Sequence, residues 1–476
     1  MRQKVQAPPH FFYEKIKSLI YIMERGKEKM KKRRRILSLF SAACLAITGI
    51  VSGAGVQKAE AAARTEVIDV TDYGVYPDSG KDSAIGIQKA IAAAKDATKE
   101  GKEVKINFPE GRYDIYPDKA IERELYVSNT VGADQNNKMK KIGIFLEDMD
   151  HVTVDGNDSL FMFHGKMTTF ATIGCEDVEF KNFAVDFQVP TVIDMTVESV
   201  EGNTATVYIP ECYNYEVSGS TIKWYSDVSP YTGQRYWSIS DLSGYHTQRE
   251  DTVQGIKFGA GNGNAALKGV ASIEDLGNHR VKITYNSKAG EVQNGMCFQS
   301  RPTVRDHAGT FFWKSKDIKM TSLDIQFLHG FGMVGQHSEN ITMEDVDFEA
   351  PKESGRTTAG YADFVQMSGC KGAININNCT FAGPHDDPIN IHGTFNTVTS
   401  ISSDRRTITV QYNHHETAGF PNFFKGDEIE FMTKGNMITV ENSVRTVTKV
   451  DGPDGMGGNM GEGSGSLTTI KLTLDK

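Results

Sequence analysis

Five stretches of this chain repeat one pattern of apolar and polar positions: a short alternating run, a polar corner, and a second short apolar run. Aligned on the first apolar residue they read HVTVDGN from Val152, DVEFKNFAVDF from Val178, DIKMTSLDIQF from Ile318, NITMEDVDF from Ile341 and AININNCTF from Ile374. A period of two within each run is strand periodicity. The spacings are 26 residues from Val152 to Val178, 23 from Ile318 to Ile341 and 33 from Ile341 to Ile374, the last lengthened by PKESGRTTAG at 351–360. Repeats of this size with strand character predict stacked coils. A sandwich would also alternate, but it would not return Asn, Asp and Ser corners at matching offsets. Upstream, residues 71–97 place Ile87, Ala90, Ile91 and Ala94 at helical spacing, and INFPEGRYDIYP (106–117) then reads as a strand with a Pro-Glu-Gly turn.

A helix at that place suits a cap, because a terminal coil would otherwise expose its apolar interior and its strand edges. Helix and following strand together resemble the entry to a pectin-lyase-like parallel β-helix. Two stretches break the coil pattern. From about Thr191, TVIDMTVESVEGNTATVYIP turns at Glu201-Gly202-Asn203 and predicts antiparallel hairpins lasting to about Cys297. Beyond the last repeat, NTVTSISSDRRTITVQY and FKGDEIEFM again read as hairpins, with a glycine-rich loop at 451–466. The predicted fold is therefore all-β: a right-handed parallel β-helix with two inserted antiparallel β-barrel-like domains. Its expected divisions are a leader and extension (1–63), cap and first coils (64–188), first insertion (189–300), central coils (301–395) and second insertion (396–476). The chain's last ten residues, LTTIKLTLDK, lie within a strand pattern, which predicts further coils and a cap beyond them.

Composition narrows the class only a little. The formal charge of −9 argues against a nucleic-acid partner, and 46 Gly with 14 Pro fits many tight turns. KMKKRRR at 29–35, the apolar run from Ile36 and the small-residue site at 59–63 have the order of a secretory signal, predicting a secreted or cell-surface protein with no stable membrane insertion after cleavage. Met23 and Met30 are both candidate starts for that leader. Past it, Cys175, Cys212, Cys297, Cys370 and Cys379 form neither a disulfide framework nor a zinc pattern.

The candidate chemistry lies in PHDDPINIHGT (384–394). Asp363 precedes Asp386 by 23 residues and Asp387 by 24, one coil, so stacking brings three carboxylates to one strand entrance. Spacing alone leaves open which of the pair Asp363 meets. If Ile389 and Ile391 point inward, Asn390 and His392 point outward. Close carboxylates drive their proton affinities apart, as glycosidic hydrolysis requires. A solvated turn and a calcium site are the competing readings of the same residues.

The stretch from Gly360 to Thr394, GYADFVQMSGCKGAININNCTFAGPHDDPINIHGT, resembles the active-site region of glycoside hydrolase family 110, the exo-acting α-1,3-galactosidases. The resemblance runs from about Thr65 to the C-terminus and is strongest between Arg301 and Thr394. It implies a β-helix with two inserted barrels, inversion, no metal or other cofactor, and a glycan substrate with terminal α-1,3-linked galactose, blood-group-B-type or linear. Asp386 matches the family's general acid, and Asp363 and Asp387 match the pair that activates water. Substrate contacts are expected from Asn390, His392, His385, His329, Gln336, Arg305 and Trp313, with His307, Gly330, Gly332, Tyr231, Tyr236 and Trp237 as further candidates. A polygalacturonase-like pectin hydrolase and a non-catalytic glycan-binding surface β-helix are the alternatives. The first would be expected to carry Gly-His-Gly and Arg-Ile-Lys motifs in later coils, and neither is present.

Overall fold

In a computed structural model the described residues are 65–129, 139–239, 244–249, 269–287, 292–301, 305–413, 422–451 and 469–476. The leader expected at 1–63 and the glycine-rich loop expected at 451–466, apart from Asp451, lie outside them.

The coils stack as the repeats predict. One sheet runs in the order Glu66–Asp69, Val104–Asn107, Asp150–Phe163, Glu176–Phe187, Lys316–Ile325, Glu339–Phe348, Lys371–Asn377. Every neighbouring pair along it is parallel. The first apolar residues of the five aligned stretches are direct ladder partners: Val152 on Val178, Val178 on Ile318, Ile318 on Ile341, Ile341 on Ile374. A second sheet runs Ile121–Glu124, Met139–Glu147, Thr168–Ile173, Thr310–Trp313, Met333–Gln336, Val365–Ser368, Ile389–His392, antiparallel only at its first pair. Each turn of chain contributes to both sheets, and the apolar residues between them form one continuous core.

The polar corners have a conformational cause. His151, Asp177, Asp317 and Asn340 occupy equivalent places in successive coils, and all have φ between +54° and +56°. Asn182, Ser322, Asp345 and Asn378 form a second such column at +51° to +56°. Asn and Asp tolerate the left-handed region because their short side chains bond locally. Here they also bond along the stack, as Asn340 Nδ2 does to Asp317 Oδ1 at 2.8 Å.

The predicted helix is Ala84–Lys99, with Ile87, Ala90, Ile91 and Ala94 buried and Ala84 and Ala97 added to the same face. Just before its start Asp82 Oδ1 accepts from Ala84 N at 2.9 Å. The helix covers the apolar end of the first coils, packing on Val104–Asn107 and Met139–Glu147.

The first antiparallel sheet lies between two coils that remain in contact. Its strands are ordered Gly244–Arg249, Met296–Ser300, Ile193–Glu201, Thr204–Tyr208, Arg280–Tyr285, Val270–Gly277, over an apolar core of its own. Ala171 still pairs with Phe311 and Val178 with Ile318 across the excursion. In the second insertion an antiparallel sheet joins Asn396–Ile401, Thr407–Tyr412, Thr469–Leu474, Arg445–Asp451 and Glu428–Ile429 around a smaller core. None of the helices among the described residues is long and apolar enough to cross a membrane. Among the described residues Cys175, Cys212, Cys297, Cys370 and Cys379 are free thiols.

Candidate active site

The register left open by the spacing is decided by hydrogen bonds. Met333 N donates to Phe364 O, one residue before its ladder partner Val365. Phe364 N donates in the same way to Asp387 O at 3.0 Å. Phe364 therefore faces Pro388, and Asp363 faces Asp387. This agrees with Val365 on Ile389 and Met367 on Ile391 in the strands that follow. Pro388 holds Asp387 extended, the backbone a ladder position needs.

Asp363, Asp386 and Asp387 each present a carboxylate oxygen within 4.8 Å of the other two. Asp363 is 3% exposed, while Asp386 and Asp387 are open to solvent. Burial, and then the charge of Asp386, push the Asp363 carboxyl up to about 6; Asn390 Nδ2, donating to Asp363 Oδ2 at 3.2 Å, opposes the rise. The three side chains converge, as the one-coil spacing predicts. Oxygens this close are a donor set that a divalent cation would also fit.

The outward face of the second sheet carries two columns. One runs Phe145, Ala171, Phe311, Val334, Gln366, Asn390, the other Glu147, Ile173, Trp313, Gln336, Ser368, His392. Asn390 and His392 are half-buried on this face. Gln336, expected on the rim, is 1% exposed because Tyr126, Ser128 and Asn129 are laid across this part of the face. Its Oε1 accepts from Ser128 N at 2.7 Å, and its Nε2 donates to Tyr126 O at 3.1 Å. Trp313 packs on the core three rungs from His392, roughly 14 Å at the ordinary strand spacing.

His329 is also interior. It is fully buried, with Nδ1 2.6 Å from Thr191 Oγ1 and Nε2 2.7 Å from Asp306 Oδ1, and burial lowers it to about 4. Asp306 in turn takes Lys166 Nζ at 2.5 Å and His307 Nδ1 at 3.0 Å, and its carboxyl is held well below the ordinary range by these partners against the cost of burial. Buried His329 and Gln336 therefore cannot serve as rim contacts in this arrangement. Arg305 lies over the Phe331 ring at 4.7 Å. The offset that sets Leu328 on Gly360 and Met333 on Val365 puts Phe331 beside Asp363. Gly330 and Gly332 are close-packing positions: a Cβ would come 1.9 Å from His307 O at the first and 2.1 Å from Asp363 O at the second.

His385 is 1% exposed, and its Nε2 lies 2.7 Å from Gln299 Oε1 of the first inserted sheet. The aromatic candidates of that insertion are also committed. Tyr236 and Tyr231 donate to Asp118 and Asp82, and Trp237 is buried in the local core. Sequence reasoning missed Asp306, Gln299 and the buried pair of Arg356 with Asp186. Lys166 and Asp306 do share the 140-residue offset that pairs Ala171 with Phe311, a signal visible only once the coils are aligned across the insertion.

The parallel β-helix thus brings three carboxylates together at one strand entrance, on two successive rungs. Residues 407–454 match the model of the GLAA-B beta-barrel domain II. An "Alpha-1,3-galactosidase A" of Streptomyces avermitilis is 42% identical over 86% of this chain and 64% of its own length. A protein of the same name from Bacteroides fragilis is 32% identical over 79% of this chain and 59% of its own. The chain thus spans about three fifths of the length of these curated relatives. Among solved structures, a family 28 exopolygalacturonase of Yersinia enterocolitica is similar at a TM-score of 0.30 and 11% identity, covering 70% of this chain and 45% of that one. Over most of its length the chain is thus similar to proteins that carry the name alpha-1,3-galactosidase.

Proposed function

We propose that the protein is an exported glycosidase that removes terminal α-1,3-linked galactose from glycans, blood-group-B-type or linear, with inversion at C1. The observation that carries this reading is the convergence of Asp363, Asp386 and Asp387 on two successive rungs of the β-helix. The relatives' printed name supports the bond and the sugar. In the proposed reaction Asp386 donates its proton to the glycosidic oxygen as the C1–O bond breaks. A water held by Asp363 and Asp387 attacks C1 from the opposite face and loses its proton to one of them. The products are β-galactose and the freed hydroxyl of the remaining glycan.

Inverting enzymes ordinarily separate acid and base by roughly 6.5 to 9.5 Å, retaining ones by about 5 to 5.5 Å. The separation that distinguishes them is the one across a bound sugar, and the anomer formed first reports it. Proton NMR of the first-formed galactose on an α-1,3-galactosyl disaccharide gives the β anomer if the proposal is right. The α anomer would replace water attack by a carboxylate nucleophile. Binding without any hydrolysis would make the protein a glycan-binding module, and cleavage of polygalacturonate instead would favour the pectin-hydrolase reading. Export is tested separately, by finding the mature chain in the medium or on the cell surface.

A further inference from the structure

The three catalytic candidates sit on short loops, yet the residue beside them is among the most thoroughly buried polar groups of the chain. His385, adjacent to Asp386, ends a chain of hydrogen bonds that leaves the β-helix altogether. His385 Nε2 is 2.7 Å from Gln299 Oε1, Gln299 Nε2 donates to Thr357 Oγ1 at 2.6 Å, and Thr357 Oγ1 donates to Asp194 Oδ1 at 2.8 Å. Thr357 N closes the end by donating to Asp194 Oδ2 at 3.0 Å. Gln299 and Asp194 are fully buried ladder partners on adjacent strands of the first inserted sheet, and Thr357 belongs to the insertion at 351–360.

The direction of this chain follows from its chemistry. Both oxygens of Asp194 face donors of Thr357, so the Thr357 hydroxyl gives its proton to the carboxylate and must receive from Gln299. Gln299 therefore presents its amide nitrogen to Thr357 and its oxygen to His385. A buried amide oxygen needs a donor, which places a proton on His385 Nε2.

We propose that His385 is a positioning residue, through which Gln299 and Thr357 let the first inserted sheet fix the Asp386–Asp387 pair against Asp363. This rests on the hydrolytic reading for its effect on rate. It gives the inserted sheet and the 351–360 segment a shared task at the site although neither supplies a reacting group. It also reassigns His385, expected from the sequence to touch the sugar.

The full chain is tested as His385→Leu, Gln299→Met and their double variant, with His385→Gln, which returns a donor near the Nε2 position, as the conservative comparison. An error of ~1 Å in placing a reacting group costs on the order of 100-fold in rate. His385→Leu and Gln299→Met should each lose ~10- to 100-fold in kcat with KM within about twofold. The double variant should lose no more than the worse single one, and His385→Gln should recover most of the loss. A raised KM at unchanged kcat for His385→Leu, with Gln299→Met neutral, would make His385 a sugar contact and overturn the proposal. Carboxyl 13C NMR of Asp363 gives a readout free of turnover. Its titration near 6 should move down in His385→Leu as Asp386 is released, and an unmoved titration in a folded variant overturns the proposal. A wild-type chain that fails to hydrolyse the disaccharide defeats the functional reading alone, because the Asp363 titration still decides the positioning.

Discussion

Asp363 gathers two opposing demands in one carboxyl. Its burial beside Asp386 raises its proton affinity to about 6, yet a water-activating base must be ionised. Turnover should therefore rise through an acidic limb near pH 6, and a limb near the ordinary 3.8 would remove Asp363 from the base role. Stability should run the other way. The native state binds the Asp363 proton more tightly than the unfolded chain, so this group's stabilising contribution is complete below about pH 4 and is lost as pH rises to about 6. Melting curves of wild type and Asp363→Asn across that window measure the difference, which should vanish if the group titrates normally. Asp386→Asn should lower kcat by ~100-fold or more while galactose binding survives, since an acid catalyst contributes about that much. Substantial turnover in that variant would end the assignment of the acid. The one-coil spacing made all three aspartates legible in the sequence. It could not show that only Asp363 is buried, because burial depends on which neighbouring coil and loop cover each rung.

Elements of this protein are held by conformation as much as by apolar contact. The corners recur because Asn, Asp and Gly accept a left-handed backbone, and their recurrence made the coils readable. Two glycines with similar backbones should then behave differently. Gly202, φ +61°, stands in an open turn where an added methyl would meet nothing within 4 Å, and Gly202→Ala should cost only about 1 kcal/mol. Gly330, φ +76°, would drive that methyl into His307 O, and Gly330→Ala should lower the melting temperature well beyond the Gly202 variant. Equal losses would show that the rungs at 305–309 and 328–332 are not packed this closely. The 351–360 segment is pinned by Arg356, which meets both oxygens of Asp186 at 2.9 and 2.7 Å with its side chain 3% exposed. Arg356→Ala strands a buried carboxylate and should destabilise by about 3 to 5 kcal/mol in denaturant titration. The sequence marked this segment as an insertion that lengthened one repeat. Its ion pair joins residues 170 positions apart and had no local signature.

At the scale of the whole molecule, the β-helix supplies the stacked rungs and the first inserted sheet braces their active end. Turnover in the presence of EDTA should equal turnover without it, as the family resemblance implies, and loss restored by a divalent cation would reassign the carboxylates as ligands. The repeat period, the polar corners and the helical spacing of residues 84–99 determined the coil stack and its cap, because each is a local preference repeated until the pattern can be read. They also determined which aspartates meet, since parallel stacking turns a distance along the chain into a neighbour in space. Only the tertiary structure decided the register that seats Asp363 on Asp387, the burial of His329 and Gln336 away from solvent, and the burial of His385 against Gln299. Those outcomes depend on segments from distant parts of the chain closing over the same rungs, and a one-dimensional pattern carries no record of which segment covers which.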